Sequence, residues 1–520
     1  MTSSRYWLST LLWVLAGTLI LMVPAFVFGR PFVFWDTSTY YGWGHDIVAA
    51  MREPWPDLAH FPAHRGMWAM DHTRGAWDRV TPQQFQLIFT YIGARSEFYA
   101  VPLYLLGSWL TLWAPAILQA LAASSLLWIA TAVLLDRRSP LLFAVVVVVL
   151  TAATPLGFYT TLLMPDVFAG LGLLAAALLL CYADRMSRWQ RAHAATLITV
   201  AVAMHTSNVI VIAALLLIAV TAAWLLPLAR LKAAGFALVG CALAVAVGAE
   251  ALSKSALHDV FGQRIRTAPF LEGRVITDGP GRLFLQQACR TRPFAACLYK
   301  DMDIVNADDI IWPDDTLHDV PLITDPAERH RFLDEQTPVV IGTLLSHPFA
   351  QLIASAKNAA FGVANFRIVN TIGYSLSGLI RRNNDQTRML LQIVPNLDAC
   401  LSAQPPCYYE PQLRPVQWLQ YIVTALAFAG LGLRILQYVR RPERVGAHGR
   451  LILVAVILAG AVVVNGAICG AAAGPWERYQ ARVIWLVPMA FGFIELRSAL
   501  DRARKRGADR WPSRPSVAVG

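Results

Sequence analysis

The sequence predicts an all-α polytopic membrane protein with about ten transmembrane helices and a small extramembrane subdomain between helices seven and eight. Three observations lead there. Of 520 residues, 56% are hydrophobic and only 15% are charged, too little polar surface to coat one water-soluble core. Apolar runs such as Leu141–Ala153, Val167–Ala183, Val209–Leu226 and Leu451–Ala473 carry few or no charges. Several approach the roughly 20 residues that cross about 30 Å of hydrocarbon, and lipid forces them to be helical because it cannot satisfy open backbone groups. Basic residues gather in short connectors: Arg137 and Arg138; Arg185, Arg188 and Arg191; Arg230 and Lys232; Arg440, Arg441 and Arg444; and Arg497 through Arg506. Taking these as cytoplasmic gives one consistent alternation with both termini inside.

The first helix spans about Leu8 to Phe28. Arg5 before its apolar run resembles a signal peptide, but the length fits a retained signal anchor. A polar loop follows from Arg30 to about Phe98, rich in Trp, His, Asp and Pro. Helix two runs from about Leu112 to Leu135, and helices three and four form a hairpin around Thr154–Asp166. Helix five, about Ala192 to Met204, meets helix six through the polar break His205-Thr206-Ser207-Asn208. Helix seven covers about Ala233 to Leu252, and helices eight to ten cover about Trp418–Leu436, Leu451–Ala473 and Val483–Leu500.

Three regions result: a transmembrane module over residues 1–252 containing an outer loop at 30–98, an outer subdomain at 253–414, and C-terminal helices with a basic tail at 415–520. Within the second, Val339–Asn365 is apolar but broken by His347-Pro348 and Lys357. From Pro348 onward it reads as a helix lying on the membrane or on the subdomain, since a span there would break the charge alternation.

The net charge of +11 is accounted for by the connectors, and no basic stripe interleaved with aromatics supports nucleic-acid binding. No Walker or Rossmann glycine pattern and no internal repeat is present. Of seven cysteines, Cys181, Cys241 and Cys469 fall in apolar spans as packing residues. Cys289 with Cys297, and Cys400 with Cys407, flank short polar stretches outside. Two short-range disulfides fit that spacing; three pairings are open to four cysteines, and metal ligation is the competing reading.

Residues able to do chemistry collect on the outer side. Asp36, just beyond helix one, is placed to take a proton from a hydroxyl or amine, or simply to satisfy backbone donors at a helix boundary. Asp166 begins helix four after Pro165, where an acid also suits the helix dipole. Glu97 can join these acids and Arg95 can hold a phosphate, against a local ion pair or a snorkelling Arg. Arg478 and Arg482 lie four apart on one helical face, against the positive-inside bias, and suit a lipid-linked phosphate or pairing with Glu477 and headgroups. His205 suits a cap or an interhelical hydrogen bond, with substrate binding as the alternative. His60 and His64 could sit one helical turn apart, but Pro62 between them and the lack of a third ligand argue against zinc.

The stretch Asp36-Thr37-Ser38-Thr39-Tyr40, followed by Gly44, resembles the first-loop acidic motif of the GT-C superfamily of membrane glycosyltransferases, which includes protein mannosyltransferases and lipid A aminoarabinose transferases. Pro102-Leu103-Tyr104 through Trp128 resembles the segment leading into their second helix, and Thr154-Pro155-Leu156-Gly157-Phe158-Tyr159 through Asp166-Val167-Phe168 resembles their third-to-fourth helix hairpin. The resemblance covers about the first 230 residues. It implies a polyprenyl-phosphate sugar donor, an active site facing the periplasm or lumen, and Asp36 as base or metal ligand, with Tyr40 in the same motif beside the substrate. Asp36-Thr37 lacks the adjacent second acid of many members, so a divalent cation is not required by the sequence. His205-Thr206 stands where a basic residue is common, and Ser253–Arg414 matches nothing in the superfamily.

The expectation is thus a transferase of a bacterial inner membrane, moving a sugar from a polyprenyl-phosphate donor to a lipid or cell-envelope glycan acceptor, without nucleic acid. Asp36 would deprotonate or orient the acceptor, Asp166 would assist or hold a metal, and Arg478 with Arg482 would grip the phosphate. The rivals are a transporter or flippase of a lipid-linked intermediate and a noncatalytic envelope polysaccharide assembly factor.

Overall fold

The computed structural model describes residues 3–52, 95–205, 207–226, 231–261, 266–304, 306–311, 326–382, 385–403, 407–440 and 448–510. Most of the predicted outer loop, residues 53–94 with His60 and His64, lies outside them.

The described residues form helices throughout: α1 (Ser3–Leu21), α2 (Val23–Val27), α3 (Trp35–Arg52), α4 (Glu97–Trp109), α5 (Trp113–Leu134), α6 (Pro140–Ala153), α7 (Leu156–Thr161), α8 (Asp166–Tyr182), α9 (Arg188–Met204), α10 (Ser207–Leu225) and α11 (Ala233–Phe261). Short helices follow, α12 (Phe270–Thr277), α13 (Pro280–Ala288) and α14 (Ala307–Ile311), then α15 (Pro326–Ser346) and α16 (Pro348–Ala364). The chain continues through α17 (Ser375–Arg382), α18 (Asp385–Leu391), α19 (Leu397–Leu401), α20 (Glu410–Arg440), α21 (Gly449–Ala472), α22 (Glu477–Ile484) and α23 (Leu486–Arg510). Local sequence sets several starts. Ser139 accepts from Leu142 N with Pro140 in the first turn, and Ser187 with Gln190 forms a reciprocal capping box.

Of the ten segments read as spans, seven lie in helices that are, among the described residues, long and apolar enough to cross a membrane: Trp113–Leu134, Asp166–Arg185, Ser207–Leu225, Ala233–Val260, Glu410–Arg440, Gly449–Ala472 and Glu477–Arg504. Trp7–Leu21 and Pro140–Ala153 are apolar but shorter. Helices α15 and α16 pass the same test only as a pair, bent by 107° at His347-Pro348. That break has a local cause, since Pro348 removes a backbone donor and suits the first turn of the helix it begins.

Helix α8 is the axis of the bundle. All of its residues from Asp166 to Tyr182 are buried, as expected of a helix that is apolar all round. It is enclosed by α5, α9, α11, α21 and α22. Gly170 lets α22 close on it, for a Cβ there would lie 2.7 Å from Trp485 Nε1 and 3.0 Å from Arg482 O. Outward faces carry exposed Leu141, Leu217, Trp224, Leu252, Phe349 and Leu426, an apolar surface suited to lipid rather than water.

The predicted region 253–414 divides in two. Val275, Ile276, Leu285, Phe294, Tyr299, Phe332 and Val339 form a second core, tied by a Cys289–Cys297 disulfide. Residues from Phe366 to Leu413 belong to the main core, with a Cys400–Cys407 disulfide on that side. Between them α16 runs along the apolar helix α21, where Gly362 meets Gly466 and Gly470 meets Asn358 backbone to backbone. The two ends of the bundle differ in chemistry. At one, Arg450 and Lys232 hold Asp184 at 3.0 and 3.1 Å, Arg185 lies 3.8 Å from Asp136, and Arg497 donates to Leu135 O. The other carries the acids Asp36 and Asp166.

Candidate functional site

The loop before α3 and the loop before α8 are knitted together by backbone. Phe32 N donates to Thr161 O at 2.9 Å and Leu163 N to Phe32 O at 2.8 Å, while Thr37 Oγ1 donates to Leu163 O at 3.0 Å. Helix α4 is fixed to the same loop through Gln119 of α5, which accepts from Tyr99 OH at 2.8 Å and donates to Leu162 O at 2.8 Å. These bonds bring the start of α3, the start of α4 and the start of α8 to one place, each with a charged residue in or beside its first turn.

Helix α22 supplies the opposite charge. Arg478 Nη1 lies 2.7 Å from Asp36 Oδ2, and Arg95 Nη2 donates to Asp36 Oδ1, so one carboxylate is clamped by two guanidiniums from different parts of the chain. The three side chains are 13–15% exposed. Aromatic rings wall the clamp: Arg478 stands 4.7 Å from the Phe34 centroid, and Arg95 stands 5.6 Å from that of Tyr40. Tyr40 is buried and meets Tyr99 edge to face, and burial pushes its phenol well above the ordinary tyrosine range, keeping it protonated. Tyr159 OH donates to Arg478 O at 3.1 Å and pins the turn that carries the arginine.

One helical turn on, Arg482 is fully enclosed, its Nη1 3.6 Å from Asp166 Oδ1. Its Nη2 donates to Asn465 Oδ1 at 3.3 Å, while Nε and Nη1 make no hydrogen bond among the described residues. A side chain sealed in this way does not reach a ligand at the surface. The expected grip of Arg478 and Arg482 on one phosphate does not fit this burial, for Arg478 keeps 15% of its side chain exposed and Arg482 none. Glu477 turns away to Asn370 Nδ2 at 2.9 Å and Arg367 at 3.8 Å.

His205 caps the end of α9 and its Nδ1 lies 2.8 Å from Ser207 Oγ. Burial and the neighbouring Arg482, Arg478 and Arg95 hold its imidazole well below the usual range, hence neutral. Glu97 makes no ion pair among the described residues; its Oε1 is buried without a hydrogen-bond partner, and Arg95 goes to Asp36 instead. No group of three or more His, Cys, Asp or Glu able to hold a metal occurs among the described residues.

A residue that sequence reasoning missed is Asp308, on the short helix α14 of the second core. Burial raises its carboxyl to about 6, Asp36 adding to the shift and Arg478 and Arg95 opposing it. The signal in the sequence is slight, an Asn306-Ala307-Asp308-Asp309 run in which Asn306 Oδ1 accepts from Asp308 N at 3.1 Å. Comparison with protein-family models, with curated proteins and with solved structures finds no match for this chain.

Proposed function

We propose that this chain is a GT-C-like membrane glycosyltransferase that moves a sugar from a polyprenyl-phosphate donor to an extracytoplasmic lipid or cell-envelope glycan. The observation that carries the reading is the clamp of Arg95 and Arg478 on Asp36. Two guanidiniums and one carboxylate leave one net positive charge, the complement of the single negative charge on a phosphodiester donor. When the sugar departs, the leaving polyprenyl phosphate becomes a monoester and gains charge. The arginines then hold the transition state more tightly than the ground state, which is the condition for catalysis rather than mere binding. Asp36 spaces the two cations and prevents their mutual repulsion before the donor arrives.

In this reading the ten helical segments are spans, both termini are cytoplasmic, and the clamp faces the periplasm of a bacterial inner membrane. The support is the basic chemistry of the opposite end of the bundle and the two disulfides outside the apolar spans, which belong in an oxidising compartment. Asp36→Asn in membranes supplied with candidate polyprenyl-phosphate sugars tests the chemistry. Unchanged turnover with normal folding would remove the assignment. Reporter fusions at both termini test the orientation.

The buried Arg482–Asp166 pair favours one alternative, a transporter of a lipid-linked intermediate, because ionisable side chains within a bundle also mark translocation paths. Passage of the intact donor across reconstituted vesicles without bond cleavage would select it.

A further inference from the structure

We infer that the groove between α13 and α16 binds the phosphodiester headgroup of an anionic phospholipid, whose acyl chains lie along the exposed apolar row of α16.

The groove is a cavity of about 870 Å³ whose lining includes Leu283 and Arg282 of α13, Lys300, and Ile353 and Lys357 of α16. Its two walls are tied together at the back. Gln351 Nε2 and Asn358 Nδ2 of α16 donate to the two Asp278 oxygens at 2.9 and 2.8 Å, and Arg274 of α12 pairs with the same carboxylate. These bonds fix α16 to the second core and set the width of the groove.

The packing of α16 places the groove at headgroup level. Gly362 meets Gly466 and Asn358 meets Gly470, so α16 and α21 run antiparallel. Helix α21, long and apolar enough to cross a membrane, ends at Ala472. Pro348 lies about 15 Å along the axis from Asn358, so the first turns of α16 extend past that end, where hydrocarbon gives way to headgroups. Along α16, Ala350, Ile353, Ala354 and Lys357 recur at three and four residues and line the groove. Phe349 and Leu352, in the neighbouring row, are 79% and 65% exposed. One row thus offers charge and the next offers a surface for acyl chains.

The charges fit one phosphodiester. Arg282 Nη1 lies 2.8 Å from Asp303 Oδ1, and Lys300 Nζ lies 4.0 Å from Asp301 Oδ2. These two carboxylates are 88% and 71% exposed, so their ion pairs are weak and leave both cations able to turn to a phosphate. Lys357 is exposed and makes no hydrogen bond or ion pair among the described residues. Arg274, Arg282, Lys300 and Lys357 together face Asp278, Asp301 and Asp303, which leaves one positive charge for the single negative charge of the headgroup.

The test titrates the full-length chain, purified in detergent, with dioctanoyl phosphatidylglycerol and dioctanoyl phosphatidylcholine and reads bound lipid by native mass spectrometry. Phosphatidylglycerol should bind about fivefold tighter or better, and Lys300→Gln and Lys357→Gln should each weaken it about fivefold, the effect of one basic residue at an anionic surface. Lys357→Arg should keep the preference, and Arg188→Gln, outside the groove, should change nothing. Equal affinity for the two lipids, or undiminished phosphatidylglycerol binding by the Lys300→Gln/Lys357→Gln double variant, overturns the assignment. Displacement of the lipid by millimolar inorganic phosphate would make this a free-anion site, and tighter binding of decaprenyl phosphate through the same lysines would make it a donor site; either result also overturns it. All of these outcomes leave the transferase reading as it stands.

Discussion

Arg478 and Arg482, four residues apart on one turn of α22, reach different carboxylates, Asp36 at 2.7 Å and Asp166 at 3.6 Å. The first pair keeps 15% exposure on each side chain and the second is sealed, so residues alike in sequence stand in unlike environments.

The outer pair should behave as a unit. Arg478→Gln and Asp36→Asn each remove a member of the three-ion clamp, and each is expected to lower kcat/KM by about 10²-fold or more, the size of removing one charge-stabilising donor. Because the residues touch, the double variant should be little worse than either alone. Steady-state rates of the cycle check this, and simple additivity would mean that the clamp does not act on the donor as one site.

The inner pair should be a matter of stability. Arg482→Met leaves Asp166 charged, buried and alone, a loss of about 3–5 kcal/mol. Changing both, with Asp166→Leu, is expected to restore most of it, since a well-packed apolar pair can replace a buried ion pair. Thermal unfolding in detergent reads both. If the double variant were as unstable as Arg482→Met, the pair would have a role beyond mutual charge compensation.

Asp308 makes a prediction about pH that is independent of catalysis. Its carboxyl is raised in the folded chain to about 6 from an ordinary value of 3.8, so the folded state holds the proton more tightly than the unfolded chain. Its contribution to stability is present below the unfolded value and is lost as pH rises through about 6. Asp308→Asn should therefore raise Tm more at pH 8 than at pH 4.5. An equal shift at both would show that the carboxyl is not held above its ordinary range.

The disulfides can be counted. Denatured without reductant, the chain should react with a maleimide at Cys181, Cys241 and Cys469 alone, and after reduction at all seven cysteines. Each bridge closes a short loop, of separation 8 and 7, and opening either should cost about 2 kcal/mol. Seven reactive thiols before reduction would argue against an oxidising compartment for the clamp.

The helical membrane character was legible in the residues themselves. An uncharged run such as Val147 to Ala153, or the wholly apolar stretch after Asp166, can form only one kind of structure in lipid, and seven of the ten predicted spans fall in described helices long and apolar enough to cross a membrane. Asp36, Arg95 and Arg478 were also singled out, because charged residues where apolar runs begin are conspicuous. Their grouping was not legible. Asp36 and Arg478 are 442 residues apart in sequence, and nothing in either neighbourhood names the other.

What the sequence determined by itself is what depends on sums over a few neighbouring residues: hydropathy, charge alternation, the short cysteine spacings. What only the tertiary structure decided is which charges meet. That Arg482 is sealed while Arg478 keeps 15% of its side chain exposed follows from Gly170 admitting α22 against α8. Lipid dictates the helices one at a time, whereas an ion pair requires two helices to close on each other, and closure is a property of the packed whole.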